Sequence, residues 1–352
     1  MRELTRHVVR RWRELLDRPM ASIGSRGDFF ASLYYTFFST AFRREQRSVL
    51  SGRVRYAHDL VHPCGSAVLL RRNIHRLEKG LLMRPRRIPF GLDYVGETVA
   101  GYARAMANPD ESTRVHDQEL QWAHDVLHEY FEAMQAQPEV FPLRQEFLRL
   151  QLPSQHPGPP FTPYRRDPAN GLPVTYDELL ALGRRRRSVR WFEQRPVPRE
   201  MIDRALAVAA LSPSACNRQP FVFRVFDNAE LVRRILEVPY GAHGYGHNVP
   251  AVAVIVGQQR SFCAECDRHL IYIDGSLAAM SFLFGLEAQG LASCCINWPD
   301  LARKERQMAK LLRLEPDARV VLLIAFGFPD GDGLVASSCK KPLGQLRRYN
   351  FE

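Results

Sequence analysis

The stretch GRRRRSVRWF, Gly183 to Phe192, sets five arginines and one hydroxyl within seven positions. Guanidinium forks bring charge and several donors at once, and a serine hydroxyl adds a compact donor and acceptor, so the group suits a phosphate monoester. A solvated or nucleic-acid-binding basic run would also line up arginines. The serine embedded among them, and the aromatic pair that follows, favour a specific site. A second polar cluster, LSPSACNRQPF, spans Leu211 to Phe221. Ser212 before Pro213 has the form of a helix N-cap followed by proline at the first helical position. Asn217 and Gln219 add amide groups able to read the edge of a heterocycle, although the same residues would suit an ordinary polar turn.

Working outward, the surrounding sequence alternates. Arg199 to Leu211 reads as an alanine-rich amphipathic helix, and Phe221 to Phe226 and Pro250 to Val256 as strands. Leu270 to Gln289 is a long apolar helix. Leu291 to Ile296 is short and strand-like, Lys304 to Leu314 helical, and Val320 to Phe328 a buried strand. Unbroken apolar runs of strand length belong in a sheet centre covered on both faces. The chain has no GxGxxG after a strand and no GxxxxGK[ST]; GYGHN at Gly244 to Asn248 follows neither pattern.

The order and spacing of these motifs resemble the FMN-dependent nitroreductase family. That family shows R-x-S-x-[RK], a helix, then P-S-x-x-N-x-Q-P-[WF] running into a strand. Here the counterparts are Arg186-Arg187-Ser188-Val189-Arg190, Pro198 to Leu211, and Pro213 to Phe221. EAQGLASCCINWPD, VVLLIAFGFP and KKPL (Lys340 to Leu343) continue the likeness, which covers roughly residues 176 to 352. The resemblance implies an α+β fold: a nitroreductase-like mixed sheet flanked by helices, preceded by a mostly helical N-terminal region. It implies FMN as cofactor and NAD(P)H as electron donor, with hydride passing through flavin N5 to a small-molecule acceptor. No side chain is assigned as catalytic. Arg186, Arg187 and Ser188 match phosphate and ribityl contacts. Arg190 matches the cation beside the N1–C2=O edge, where charge arrives on reduction. Pro213, Ser214, Ala215 and Asn217 match a loop that reaches the flavin of the other subunit of a homodimer. Ile296 and Asn297 match the backbone near N5, and Lys340, with Lys341 beside it, a phosphate-binding cation. Asn297-Trp298 replaces a common Glu-Gly, and Cys294-Cys295 is unusual; both departures are expected where substrate lies. The alternatives are an FMN-dependent dehydrogenase of a biosynthetic intermediate, and a flavin-binding module without turnover.

The proline-rich segment Gln151 to Pro173 holds seven prolines and cannot continue a helix or a central strand. It suggests residues 1–150 as a helical region, 151–175 as a linker or wrapping arm, and 176–352 as the FMN-binding domain. Leu4, Val8, Trp12, Leu15 and Leu16 fall on one helical face, and GETVAGYARAM and QELQWAHDVLHEYFEAMQ also read as helices. NIHRLEKGLLMRPRRIPFG, Asn73 to Gly91, reads as a basic, turn-rich connector that could meet an anion.

Across all 352 residues, 49 Lys and Arg against 38 Asp and Glu leave a net charge of +11. That charge permits binding to nucleic acid, but no groove-reading module is recognisable. The apolar runs are too short for a membrane span, no signal peptide is visible, and seven cysteines are an odd number. A cytoplasmic protein with reduced thiols is expected. Cys263, Cys266 and His269 have a C-x2-C-x2-H spacing, but the fourth ligand a structural zinc requires is missing, so no metal is expected. His243 and His247 read as loop polar groups.

Overall fold

The structure is a computed structural model that describes residues 19–61, 68–108, 115–150, 158–166, 171 and 173–351. The expected helix through Leu4 to Leu16 and most of the proline-rich segment lie outside these residues.

The sheet has strands β1 (Phe221–Phe226), β2 (Ala251–Gln258), β3 (Ala292–Asn297) and β4 (Ala318–Gly327), in the order β1-β2-β4-β3. Its three ladders are antiparallel, with Phe221 opposite Gly257, Ala251 opposite Phe326 and Ala292 opposite Gly327. A parallel bridge at Ser188–Ser293 adds the R-x-S-x-R segment to the free edge of β3.

Side chains alternate between the two faces, and both faces are covered. Val252, Val254, Leu323, Ala325, Cys294 and Ile296 share one core with helices Ala229–Leu236 and Ala302–Leu312. Ala251, Ala253, Ile255, Ile324 and Phe326 share another with α8 (Arg199–Ala210) and α10 (Leu270–Glu287). This double cover explains why AVAVIV in β2 is apolar without alternation.

Helices α1 (Asp28–Phe37), α2 (Arg43–Val61), α3 (Val68–Leu82), α4 (Val95–Ala107), α5 (Asp117–Ala133), α6 (Phe141–Leu148) and α7 (Tyr176–Arg185) precede α8; α9 is Ala229–Leu236 and α11 Ala302–Leu312. Helices α3 to α6 enclose a core of their own, with Ile74, Leu77, Val99, Tyr102, Leu127, Tyr130 and Phe147 buried. In contrast, α2 lies on the sheet-bearing half. Gly52 meets the turn at Gln259 so closely that a Cβ there would stand 2.6 Å from the Gln259 carbonyl carbon. Arg53 also pairs with Glu265. In the proline-rich segment, the Phe161 amide donates to Asp125 at 2.9 Å, tying this part of the arm to α5.

Two expectations need correction. Asn73 to Leu82 is not a connector but most of α3, which buries Leu70, Ile74, Leu77 and Leu81. Those residues fall at helical spacing; the arginines and lysine between them gave the stretch its basic look, although Arg71 turns inward to Glu119 and Arg76 lies over the Tyr94 ring. Ser212 is not an N-cap either. It is buried, and its hydroxyl donates to Ser281 Oγ at 2.7 Å on α10. By length and composition the stretch Glu265–Glu287 could cross a membrane, but half of its apolar window is buried inside the protein.

Candidate functional site

A capping box, Thr175 with Glu178, starts α7, and Arg186 ends it by turning to extended backbone. The chain then runs along β3, where the Val189 amide donates to the Ser293 carbonyl at 3.0 Å. Arg185 is committed elsewhere, paired with Glu287 at 3.0 Å. Arg187 donates to the Arg186 carbonyl at 3.0 Å. The Arg190 guanidinium donates to the Ser188 carbonyl at 3.4 Å and stands 5.8 Å from the Tyr245 ring centroid. Among the described residues no carboxylate pairs with Arg186, Arg187 or Arg190. Their charge is left without a carboxylate partner and could meet an anion.

Asn248 holds this segment in place. Its carboxamide accepts from the Phe192 amide at 2.9 Å and donates to the Arg190 carbonyl at 3.0 Å. Tyr245 lies beneath, its hydroxyl donating to Cys294 Sγ at 3.5 Å, and burial pushes its phenol up. Cys295 is open to solvent on one side, and desolvation by the protein packed around the rest of it raises its thiol against the pull of Arg186. Ser293 is fully buried, and its hydroxyl has no hydrogen-bond partner among the described residues. Sequence reasoning missed Tyr245, Asn248 and Ser293. The first two lie in or beside GYGHN, whose glycines match no phosphate-binding pattern.

Ile296 is buried and Asn297 exposed at the end of β3. The turn at Tyr240–Ala242 packs on them closely; a Cβ at Gly241 would stand 3.2 Å from Ile296 Cγ2. Trp298 does not face a substrate, as its place in the sequence suggested. It is buried in the core, and its indole N–H donates to Glu305. Cys294 is also core, so of the two unusual pairs only Cys295 and Asn297 are exposed.

The loop Pro213 to Gln219 is built differently. Cys216, Asn217 and Gln219 have φ of 51°, 52° and 48°, a left-handed conformation that non-glycine residues adopt at a cost. Local bonds hold it: the Gln219 amide donates to Ser214 Oγ at 3.1 Å, and Gln219 Nε2 to Asn217 Oδ1 at 3.0 Å. The Ala215 amide donates to buried Asp274 at 3.0 Å; burial raises the Asp274 carboxyl, and this bond opposes the shift. Arg218 is buried against Asp267 at 3.3 Å and over the Phe262 ring at 4.9 Å.

The two clusters therefore anchor on the same helix, α10. The loop rests on Asp274 and, through Ser212, on Ser281, whereas Arg185 rests on Glu287. At about 1.5 Å of rise per residue, Asp274 and Glu287 are about 20 Å apart along the axis. Lys340 and Lys341 lie exposed in the C-terminal segment, with no hydrogen bond or ion pair to Arg186 or Ser188 among the described residues. Cys263 and Cys266 are exposed and free, His269 lies 3.9 Å from Glu45, and no group of three or more metal-ligating side chains occurs among the described residues. His243 and His247 make edge contacts with Tyr240 and Trp191.

The model of the Nitroreductase family matches residues 184–243 and 241–328. A protein of Methanothermobacter thermautotrophicus, named for NADH dehydrogenase and NAD(P)H nitroreductase, is 31% identical over 163 residues, 44% of this chain and 80% of that protein. Iodotyrosine deiodinase 1 of Sus scrofa is 23% identical over 215 residues, 53% of this chain and 73% of that protein. The solved structure of an FMN-dependent nitroreductase from Clostridium difficile is similar with a TM-score of 0.43 and 21% identity, over 49% of this chain and 99% of that one. The ordered motifs, the sheet that carries them and the extent of the match to the archaeal relative together place this chain in the nitroreductase family of oxidoreductases.

Proposed function

We propose that the protein is an FMN-dependent oxidoreductase that takes hydride from NAD(P)H and passes it to a small-molecule acceptor. The observation that carries this reading is the arginine segment on the edge of β3: three guanidinium groups without a carboxylate, and Ser188 beside the orphaned hydroxyl of Ser293. Those residues fit a phosphorylated cofactor. FMN, when bound, supplies two-electron hydride transfer at N5, which no protein side chain offers. Arg186, Arg187 and Ser188 bind its phosphate and ribityl chain, with Lys340 and Lys341 as further cations. Arg190, braced by Asn248, stabilises negative charge at the N1–C2=O edge. The backbone at Ile296 and Asn297 faces N5. Nitro compounds and an iodinated amino acid appear in the names of relatives, which supports a small molecule as acceptor.

The working unit on this reading is a homodimer with FMN at the interface. Ile273, Leu277 and Met280 form an exposed apolar stripe on α10, with Leu211 86% exposed nearby in the chain before Ser212. A second copy covering this stripe would bring its Pro213–Asn217 loop to the flavin held by Arg186 to Arg190 of the first. The separate core of α3 to α6 supports a helical region within residues 1–150, joined through 151–175 to the FMN domain, 176–352, although α2 packs on the latter.

Freshly purified protein is expected to be yellow and to release FMN on denaturation. Its colour should bleach under anaerobic NAD(P)H and return with an acceptor. Arg186→Ala and Ser188→Ala should each weaken FMN binding roughly ten- to a hundredfold, the loss of one charge-assisted hydrogen bond. Colourless protein that takes up no added FMN would overturn the reading. Bound flavin that never bleaches would leave a binding module without turnover.

A further inference from the structure

One cation from the helical half reaches into the strained loop. Arg71, on α3, donates from Nε to the Asn217 carbonyl at 3.0 Å. The same guanidinium pairs through Nη1 with Glu119 of α5 at 2.6 Å and lies 5.6 Å from the centroid of the Trp122 ring. Trp122 is itself fixed by an N–H bond to Glu78 at 3.1 Å. Both partners of the ion pair are largely buried, each with 17% of its side chain exposed. A guanidinium held on several sides in a partly dry setting makes a stronger, better-aimed hydrogen bond than one in water.

The recipient carbonyl belongs to the middle of three left-handed non-glycine residues, Cys216, Asn217 and Gln219. Such residues persist only where their surroundings hold them, and they cluster where a loop must keep one shape for a ligand. Two of the holding bonds are internal to the loop and one comes from Asp274. The bond to the carbonyl between Asn217 and Arg218 comes from outside the family-matched region, which begins at residue 184.

We propose that Arg71 is a positioning residue of the cofactor site: it fixes the Pro213–Asn217 loop in the shape that meets the flavin, so the N-terminal helices complete a site that the nitroreductase domain alone contains only in part. This rests on the FMN reading above. Arg71 touches no reacting atom and acts through the loop backbone. Glu119 aims it.

The test uses the full chain. Arg71→Met keeps an apolar stem over Trp122 and removes the donor; Glu119→Gln loosens Arg71 without touching the loop. FMN affinity is read by quenching of flavin fluorescence, and loop order by amide hydrogen exchange in flavin-free protein. Arg71→Met is expected to weaken FMN binding about tenfold and to speed exchange at Asn217 to Gln219 while α4 and α5 keep their protection. Glu119→Gln should act in the same direction and less strongly. Arg71→Lys, which retains one donor, should recover part of the affinity. Unchanged affinity and unchanged loop exchange in both main variants, with a wild type that binds FMN, would overturn the proposal. Exchange that rises equally through α4 and α5 would make Arg71 a stabilising residue only and overturn it as well. A wild type that binds no FMN is a separate result: it overturns the cofactor reading and takes the role of Arg71 at the flavin with it.

Discussion

Asn248 is 8% exposed and joins two pieces of backbone far apart in the chain, the Arg190–Phe192 segment and its own turn at Tyr245. Replacing it with leucine keeps the volume but strands a buried N–H and buried carbonyls. Each such group costs about 1–3 kcal/mol, so Asn248→Leu should lower stability by at least about 2 kcal/mol in urea unfolding. Asn248→Ala with a loss under half a kilocalorie would show that water satisfies these groups. Arg190 depends on the same brace. Its charge matters most once electrons have arrived at the N1 edge. Arg190→Gln should therefore lower the flavin reduction potential and slow reduction by NAD(P)H more than it weakens FMN binding. Stopped-flow reduction and a potential titration measure both, and an unchanged potential would remove Arg190 from that edge.

At the scale of elements, α10 and α8 cross where Gly285 faces Ala205. A Cβ on Gly285 would stand 2.8 Å from the Ala205 Cα, a backbone contact that cannot swing away. In an exposed helix interior, Gly→Ala gains about 1 kcal/mol through propensity. Here the sign should reverse: Gly285→Ala should destabilise by about 1–3 kcal/mol as the crossing is forced open, and a rise in urea midpoint would contradict the close crossing. Such a contact could not be read beforehand, because nothing in EAQGLASCC or the helix before it tells which glycine meets a neighbour. Much else could. The strands were legible because β2 and β4 are apolar on both faces, α8 and α11 because their spacing is helical, and α10 because it is a long run, apolar nearly all round. The arginine segment and the P-S-x-x-N loop were legible as ordered motifs. Helix α3 was hidden by Arg71, Arg72 and Arg76, which sit between its buried residues. Arg71 itself, Tyr245 and Asn248 were not legible, since each acts on a partner far away in sequence. Ser212 misled for a related reason: Ser-Pro looks like a cap until Ser281 is seen opposite it.

On the proposed reading the flavin draws on two chains, and two anchors of its parts, Asp274 and Glu287, lie about 20 Å apart along α10. The apolar stripe Ile273, Leu277 and Met280 lies on the same helix and is exposed in the single chain. An arginine placed in a covered stripe would be desolvated without a partner, which is costly. Leu277→Arg should therefore give a monomer in light scattering and release FMN, although Leu277 need touch no cofactor. Subunit mixing makes a sharper test. Arg190→Glu damages the segment that holds the flavin within its own chain, and Asn217→Asp damages the loop that reaches across. Each homodimer then carries two damaged sites. In a heterodimer both lesions fall on one site and the other is intact, because each site draws one part from each chain. Exchanging the two variants should restore flavin binding in up to half of the heterodimer sites, where neither variant alone retains it. If both parts served the same chain's flavin, each heterodimer site would keep one lesion and mixing would restore nothing. Wild-type protein that runs as a monomer and still holds FMN would rule out the shared site directly.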